Sequence, residues 1–189
     1  PPVRFINESL VHWLQTMGGT SRILLGIILG GMMAVDMGGP VNKAAYVFAT
    51  GTLATAAAGE YGTPIMAAVM AGGMVPPLGI ALATTIFKNK FNTEEREAGK
   101  TNYIMGLSFI TEGAIPFAAG DPLRVLPASI AGSAVAGAIS MFFNISIPAP
   151  HGGLVVAFLS NNAWVYLLAI LIGAVITAVI LGLLKKKVN

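Results

Sequence analysis

The chain of 189 residues contains no cysteine and few charges, and both absences exclude classes of protein. Without cysteine there is no disulfide framework, thiolate nucleophile or cysteine-ligated metal. The two histidines, His12 and His151, lie far apart in the sequence, which argues against a histidine metal site. Charged residues make up 10% of the chain, whereas an average soluble domain has about 25%. We therefore expect neither a metal, a cofactor nor an ordinary soluble enzyme.

Several known sequence motifs are also missing. There is no Walker loop, dinucleotide-binding fingerprint, metalloprotease helix or nucleophile elbow. The net charge is only +3, and the lysines and arginines stand at the ends of apolar segments. This is typical of membrane loops that face the cytoplasm, and it argues against a nucleic-acid-binding module.

Long apolar stretches dominate what is present. Hydrophobic residues make up 55% of the chain, and residues 125–184 contain no Asp, Glu, Lys or Arg. A run of this length is sufficient for two membrane crossings. The sequence therefore predicts an all-α membrane protein with several transmembrane helices in a lipid bilayer.

The alternation of apolar and charged stretches predicts an order of segments. Residues 1–21 are expected to form an amphipathic or linker helix, and residues 22–189 a membrane domain. Within that domain we predict a crossing over 22–38, a hairpin over 40–60, a crossing over 61–87, a cytoplasmic loop over 88–100, a hairpin over 101–121, a crossing over 125–143, an irregular segment over 144–160 and a crossing over 162–184.

The two hairpins are inferred from the distribution of positive charge. The loop 88–100 has four Lys or Arg residues and the tail has Lys185, Lys186 and Lys187, so both should face the cytoplasm. Three full crossings between them would place them on opposite sides, which predicts that 101–121 turns back. The same argument, applied between Arg22 and Lys88, predicts that 40–60 turns back. Broken backbone at membrane depth is a feature of transporters.

Asp36 stands at the end of an apolar run, before Gly38, Gly39 and Pro40, and Asn42 and Lys43 come next. An ionisable residue inside a membrane segment is a functional candidate because its burial is costly. Two interpretations remain open: Asp36 and the freed backbone groups hold a polar solute, or Asp36 pairs with Lys43 and caps the next helix.

Glu112 stands in a second apolar segment, with Gly113 beside it and Pro116 four residues after it. The pattern of acid, glycine and proline repeats that of Asp36, as a weak trace of an internal repeat. Flanking Ile and Ala residues predict a carboxylate shielded from solvent, suited to sugar hydroxyls or to carrying a proton; a cytoplasmic loop glutamate is the alternative. His151, between Pro150 and Gly152, is either a ligand to a polyol or an exposed loop histidine.

Three stretches carry a resemblance to a known family. They are MAVDMGGPVNKAAY (33–46), SFITEGAIPF (108–117) and APHGG (149–153). Each resembles a signature of the fructose-type membrane component, enzyme IIC, of the bacterial phosphoenolpyruvate-dependent sugar phosphotransferase system. The match runs from about Trp13 to Lys187, and the chain resembles the C-terminal half of that component.

The resemblance implies a function and a set of partners. It implies a transport domain with two hairpins that binds fructose or a related sugar and presents it to a phosphorylated IIB domain, itself supplied by IIA. The phosphoryl donor then lies on IIB, so this chain would be the permease portion of a sugar phosphotransferase without a catalytic residue. The residues that the resemblance assigns to the sugar site are Asp36, Asn42, Lys43, Glu112, Gly113 and His151.

The resemblance also implies a bacterial inner-membrane protein that is a homodimer at full length. Because the chain begins with Pro1 and has no signal-peptide pattern, we expect it to be a piece of a longer protein that lacks the N-terminal half of IIC. Two other functions remain possible from the sequence. One is an ion-coupled secondary transporter with Asp36 and Glu112 as proton carriers, and the other is a structural membrane subunit.

Overall fold

The computed structural model describes residues 19–56 and 62–187, so most of the predicted helix over 1–21 lies outside the described residues. The described part consists of helices joined by turns, with one isolated antiparallel bridge between Thr63 and Ile147. The helices are α1 (Gly19–Val35), α2 (Pro40–Thr55), α3 (Pro64–Ile86), α4 (Thr93–Leu107), α5 (Ile115–Gly120), α6 (Pro122–Phe142), α7 (Leu154–Ala157) and α8 (Ala163–Leu184), with 3₁₀ turns over Lys88–Lys90 and Thr111–Ala114.

Three of these helices, α3, α6 and α8, are long and apolar enough to cross a membrane. They coincide with the crossings predicted over 61–87, 125–143 and 162–184, which confirms the all-helical membrane class. Helix α1 is apolar but has only 17 residues, and the crossing predicted over 22–38 stays a prediction.

Helix α3 forms the centre of the fold. It begins where Thr63 accepts a hydrogen bond from the backbone N–H of Met66 and Pro64 supplies a preset backbone angle. Nearly all its residues from Met66 to Thr84 are buried, because α1, α4, α6 and α8 pack around it. A helix that is apolar and buried on all sides needs no polar face, which agrees with its uncharged sequence.

Helices α3 and α8 run parallel. Near their starts the Tyr166 hydroxyl donates to the Ala67 carbonyl at 3.0 Å, and nearer their ends Gly79 lies directly against Thr177. Helix α1 packs against α6 through glycines. A Cβ added to Gly30 would lie 2.3 Å from the Ser133 carbonyl oxygen, so the two backbones touch. Small residues permit such close packing of membrane helices.

The sequence predicts a loop over 88–100, but only part of this segment is a loop, because α4 begins inside it. The Asn92 side chain accepts a hydrogen bond from the Glu95 backbone N–H, and the Glu95 carboxylate accepts one from the Asn92 N–H, both at 2.8 Å. This capping box satisfies two N–H groups that a helix start otherwise leaves unbonded. The charges predicted a loop, but the same residues include a helix start signal.

The 88–100 segment and the C-terminal tail meet at one end of the bundle. Lys185 forms an ion pair with Glu95 and lies 4.4 Å from the centre of the Phe91 ring. The Lys90 ammonium group donates to the Gly182 carbonyl. The two positively charged segments therefore share one end, as the charge distribution predicts. We call this the charged end.

The remaining predicted segments are also helical in part. Helix α2 occupies most of the 40–60 segment, and residues 57–61 lie outside the described residues. The end of α4, a 3₁₀ turn and α5 occupy 101–121, while the segment 144–160 is irregular except for the single turn α7. That 40–60 and 101–121 re-enter the membrane stays a prediction.

Candidate functional site

The break between α1 and α2 is held by Asp36. Its carboxylate accepts hydrogen bonds from the backbone N–H groups of Val41 at 2.7 Å and Asn42 at 2.9 Å, which places a negative charge at the positive end of α2. The buried Asn42 amide donates to the Met33 carbonyl at 2.7 Å, so it ties α2 back to α1. Both side chains therefore make their hydrogen bonds within the α1–α2 break.

The predicted pair of Asp36 with Lys43 is not among the ion pairs of the described residues. Lys43 comes after Asn42 in the first turn of α2, but its side chain is exposed. The prediction that Asp36 caps the next helix is confirmed, through backbone N–H groups and without the lysine. Lys43 thus leaves its charge available to a ligand or to another part of the protein.

Glu112 lies on the 3₁₀ turn Thr111–Ala114 and packs against the α1–α2 break. A Cβ added to Gly38 would lie 2.7 Å from Glu112 Oε1, and Gly38 has a φ of 108°. Both the close approach and the backbone angle require glycine at this position. The next residue, Gly39, lies as closely against the Asp36 carboxylate. The two acids predicted as functional therefore flank one pair of glycines.

The surroundings of Glu112 differ from the prediction. Its side chain is exposed in the described part of the chain, whereas Thr111 and Gly113 on either side are buried. The short turn buries its small residues and leaves the carboxylate on the surface of the described residues, so its neighbours in the turn do not cover it. The Glu112 carboxylate makes no hydrogen bond with any described residue, in contrast to that of Asp36. A free carboxylate of this kind is available to accept hydrogen bonds from a ligand.

Two prolines inside α3 free two backbone carbonyls, and the Glu112 turn attaches to one of them. Pro76 and Pro77 have no N–H, so the carbonyls of Gly72 and Gly73, four residues earlier, lack their helical donors. Both carbonyls receive a hydroxyl from another element. The Ser133 hydroxyl of α6 donates to Gly72, and the Thr111 hydroxyl donates to Gly73, each at 2.8 Å.

An aromatic row connects His151 to the same region. The His151 ring lies 5.2 Å from the Phe109 ring, which lies 6.2 Å from the Tyr46 ring of α2. The loop of His151 sits directly on the turn after α4, because a Cβ added to Gly153 would lie 2.1 Å from the Leu107 carbonyl oxygen. His151 itself is exposed. Exposure agrees with a loop histidine and also leaves the imidazole accessible to a ligand, so its role as a ligand to a polyol stays a prediction.

The α1–α2 break and the Glu112 turn thus meet directly at Gly38, and the Phe109 ring, just before that turn, connects Tyr46 of α2 to the His151 loop. An outward carboxylate, an imidazole and aromatic ring faces suit a neutral polyhydroxyl compound, because hydroxyls donate to the carboxylate while ring faces cover its apolar side. Within the described residues no three metal-ligating side chains of His, Cys, Asp or Glu cluster together.

The sequence interpretation missed Thr111, Phe109 and Tyr46, which support this site, and Ser133, whose hydroxyl satisfies the Gly72 carbonyl. One sequence signal existed, since a Pro-Pro pair in an apolar helix predicts two carbonyls in need of donors. The donors themselves lie 38 and 61 residues away in the chain, and only the tertiary structure identifies them.

Comparison with known proteins gives full-chain relatives. The chain is 59% identical over 188 residues to the PTS system fructose-specific EIIABC component of Bacillus subtilis (strain 168), covering 100% of this chain and 29% of that protein. It is 58% identical over 188 residues to the Fructose permease IIC component of Bacillus amyloliquefaciens, covering 100% of this chain and 60% of that protein. It is 51% identical over 188 residues to the PTS system fructose-specific EIIB'BC component of Escherichia coli (strain K12), covering 98% of this chain and 32% of that protein.

The chain therefore spans less than two thirds of the length of these relatives. No protein-family model matches the chain, and no solved structure matches it significantly.

Proposed function

Because the chain belongs to the fructose-specific IIC family of membrane components of the phosphotransferase system, we propose that it is the sugar-binding part of a permease in the bacterial plasma membrane. It binds fructose or a related sugar and presents it to a phosphorylated IIB domain. The phosphoryl group moves from IIB to a sugar hydroxyl, which loses its proton, and sugar phosphate is released inside the cell. The chain itself supplies binding and position, and no phosphoryl donor.

The observation that carries this proposal is the free carboxylate of Glu112 beside Gly38. Glu112 accepts hydrogen bonds from sugar hydroxyls, and His151 donates or accepts at the rim of the site. Gly38 and Gly113 allow the α1–α2 break and α4 to pack closely against the turn that carries Glu112. Asp36 and Asn42 hold the α1–α2 break in place beneath the sugar. Lys43, exposed in the first turn of α2, adds a positive charge near the incoming phosphoryl group.

In this proposal, 101–121 is a re-entrant hairpin that enters from the charged end. Helix α4 runs antiparallel to α3, since Gly99 lies against Thr84 and Gly106 lies against Leu78. The chain then reaches Gly73, near the middle of α3, through Thr111. Phe117 in α5 belongs to a cluster with Ala83 and Phe91, which supports a return to the charged end.

A second hairpin, formed by α1 and α2, enters from the opposite end. Gly72 of α3 lies against Gly30 of α1, and α1 ends five residues later. Helix α2 then runs back to the start of α3, where the Thr52 and Thr63 hydroxyls are 2.9 Å apart. In this arrangement α1 is the first arm of the hairpin, in place of the full crossing that the sequence predicts over 22–38, and Arg22 lies at the end opposite to Lys88. The two hairpin tips, at Asp36–Pro40 and at the Glu112 turn, meet beside the middle of α3.

The proposed partners are inferred from the family and from the charged end. The relatives from Bacillus subtilis and Escherichia coli carry B components in the same polypeptide, as their names state. We place the IIB domain at the charged end, facing the cytoplasm, with IIA as its phosphoryl source. The N-terminal half of IIC and a second copy of the full-length chain complete the carrier.

Vesicle uptake by the full-length protein tests the proposed function. With phosphoenolpyruvate and the soluble carrier proteins inside, fructose should accumulate as fructose phosphate, and a protonophore should have little direct effect. Omission of IIB should abolish accumulation. The alternative function, in which Asp36 and Glu112 carry protons, predicts accumulation of unmodified sugar driven by a pH gradient. Gradient-driven accumulation of free fructose without IIB would refute the phosphotransferase proposal.

A further inference from the structure

Gly73 of α3 is a contact point for two elements of the candidate site. Its carbonyl, left without a helical donor by Pro77, accepts the Thr111 hydroxyl at 2.8 Å. Its missing side chain makes room for the Phe109 ring, because a Cβ at Gly73 would lie 2.3 Å from Phe109 Cε2. Thr111 precedes Glu112 in the chain, and the Phe109 ring contacts the His151 ring.

We propose that the Thr111 hydroxyl, bound to the carbonyl that Pro77 leaves free, is the positioning element that holds Glu112 in its sugar-binding orientation. This inference rests on the proposed function, and it assigns to Pro77 a role in the site. Thr111 touches no sugar. It fixes the turn from which the Glu112 carboxylate projects.

The turn needs such an anchor because it has few others. It is a single 3₁₀ turn without a side-chain cap, and a 3₁₀ turn has weaker hydrogen bonds than an α-helix. Phe109, just before the turn, has a φ of 61°, a backbone conformation that non-glycine residues rarely adopt. Thr111 is buried, so no water competes for its hydroxyl. Its hydrogen bond to α3 joins this weakly bonded turn to the most buried helix of the fold.

The neighbouring proline provides a matched control within the same helix. Ser133 satisfies Gly72 as Thr111 satisfies Gly73, with the same donor–acceptor distance. Ser133 is also buried, but it belongs to α6 and adjoins no predicted ligand-binding residue. Loss of either hydroxyl leaves one buried carbonyl unbonded, which costs stability in both cases. Only loss of the Thr111 hydroxyl should also displace Glu112.

The test compares fructose binding and phosphorylation by the full-length protein and its variants. Thr111→Val keeps the shape of the side chain and removes the hydroxyl, and we expect fructose to bind about tenfold more weakly, with the change in KM rather than in kcat. Thr111→Ser keeps the hydroxyl and should bind as the wild type does. Ser133→Ala should lose stability but keep the wild-type fructose affinity.

A second variant keeps the test decisive if Thr111→Val alone does not fold. In Pro77→Ala, the new N–H of residue 77 satisfies the Gly73 carbonyl from within α3, so Thr111→Val no longer leaves that carbonyl unbonded. The double variant should therefore fold, and it should bind fructose more weakly than the wild type. Wild-type affinity in the double variant, which has no hydroxyl at residue 111, would overturn the inference.

Three further outcomes separate the inference from the function on which it rests. If Glu112→Gln weakens fructose binding and Thr111→Val leaves it unchanged, the positioning role is wrong while the sugar site stands. The same conclusion holds if Ser133→Ala weakens binding as much as Thr111→Val, since the effect would then belong to α3 in general. If Glu112→Gln binds fructose as the wild type does, the proposed site itself is wrong.

Discussion

Two segments of the chain share one pattern, an acid followed by glycine and by a proline four residues after the acid, but the structure uses their acids differently. In the first, Asp36 is half-buried and its carboxylate accepts two backbone N–H groups at the start of α2. In the second, Glu112 is exposed and its carboxylate makes no hydrogen bond with the described residues. The segments meet where Gly38 lies against the Glu112 carboxylate.

The two breaks differ in the helix that comes after each of them. Pro40 begins a 16-residue helix, whose free N–H groups attract the nearest carboxylate. Pro116 is in the six-residue helix α5, which is reached through a 3₁₀ turn, and Glu112 stands within that turn rather than before it. An acid just before a long helix is used to cap it, and an acid inside the preceding turn stays free. We infer that Asp36 mainly supports the fold and Glu112 mainly binds the ligand.

The largest expected effect is on sugar affinity at Glu112. Glu112→Gln keeps the size and one acceptor oxygen but removes the charge, and hydrogen bonds to charged groups contribute about 1.5–3 kcal/mol each. Fructose affinity of the full-length protein should therefore fall by roughly one to two orders of magnitude, with little change in unfolding. Equilibrium binding of labelled fructose measures this.

The matched control for that experiment is Glu97→Gln. Glu97 is an exposed acid of α4, paired with Lys100 at the surface, and its replacement should change neither affinity nor stability, since exposed ion pairs contribute little. A Glu97 variant as weak in binding as the Glu112 variant would show that lost charge, and not the site, causes the effect.

A smaller effect, on stability, is expected at Asp36. Asp36→Ala removes the acceptor for the N–H groups of Val41 and Asn42, and loss of such a cap costs about 1–2 kcal/mol. Asp36→Asn keeps one acceptor oxygen and should cost less than Asp36→Ala. Unfolding of the purified full-length variants in mixed detergent micelles checks the order. Equal stability of the wild type and Asp36→Ala would mean that the cap does not hold the break.

The sequence predicts the long helices, but it does not predict the contrast between the two acids. The long apolar runs predicted α3, α6 and α8, because uncharged stretches of that length have few alternatives to a membrane helix. The sequence also marked Asp36 and Glu112 as candidates but treated them alike. Their difference depends on which backbone groups lie within reach of each carboxylate, and that is a property of the tertiary structure.

In the segment 88–100, by contrast, a local sequence signal for a helix start was present, but the number of charges outweighed it in the prediction. Asn92 and Glu95 have the spacing of a capping box, but seven charges in thirteen residues predicted a loop. The pairing of Lys185 with Glu95 joins residues 90 positions apart, and no local pattern identifies it. That the two segments share one end of the bundle was still predictable, because it depends on charge and not on contacts.

The smallest expected effect concerns Lys43, which the sequence offered as a partner for Asp36. Lys43 is exposed and forms no ion pair with the described residues, so Lys43→Gln should change the free energy of unfolding by less than about 0.5 kcal/mol. Lys185→Gln is the comparison, since it removes the ion pair with Glu95 and the contact with Phe91. A larger loss of stability in Lys43→Gln than in Lys185→Gln would indicate that Asp36 and Lys43 do form an ion pair.

Thermal unfolding of the full-length protein with and without fructose tests the division between the two acids most directly, because a ligand that binds only the folded state raises its melting temperature. Glu112→Gln should unfold at the wild-type temperature without sugar and show a much smaller rise with fructose. Asp36→Ala should unfold at a lower temperature without sugar and keep most of the rise. A full fructose-dependent rise in Glu112→Gln, or its loss in Asp36→Ala alone, would contradict the assignment of the sugar to Glu112.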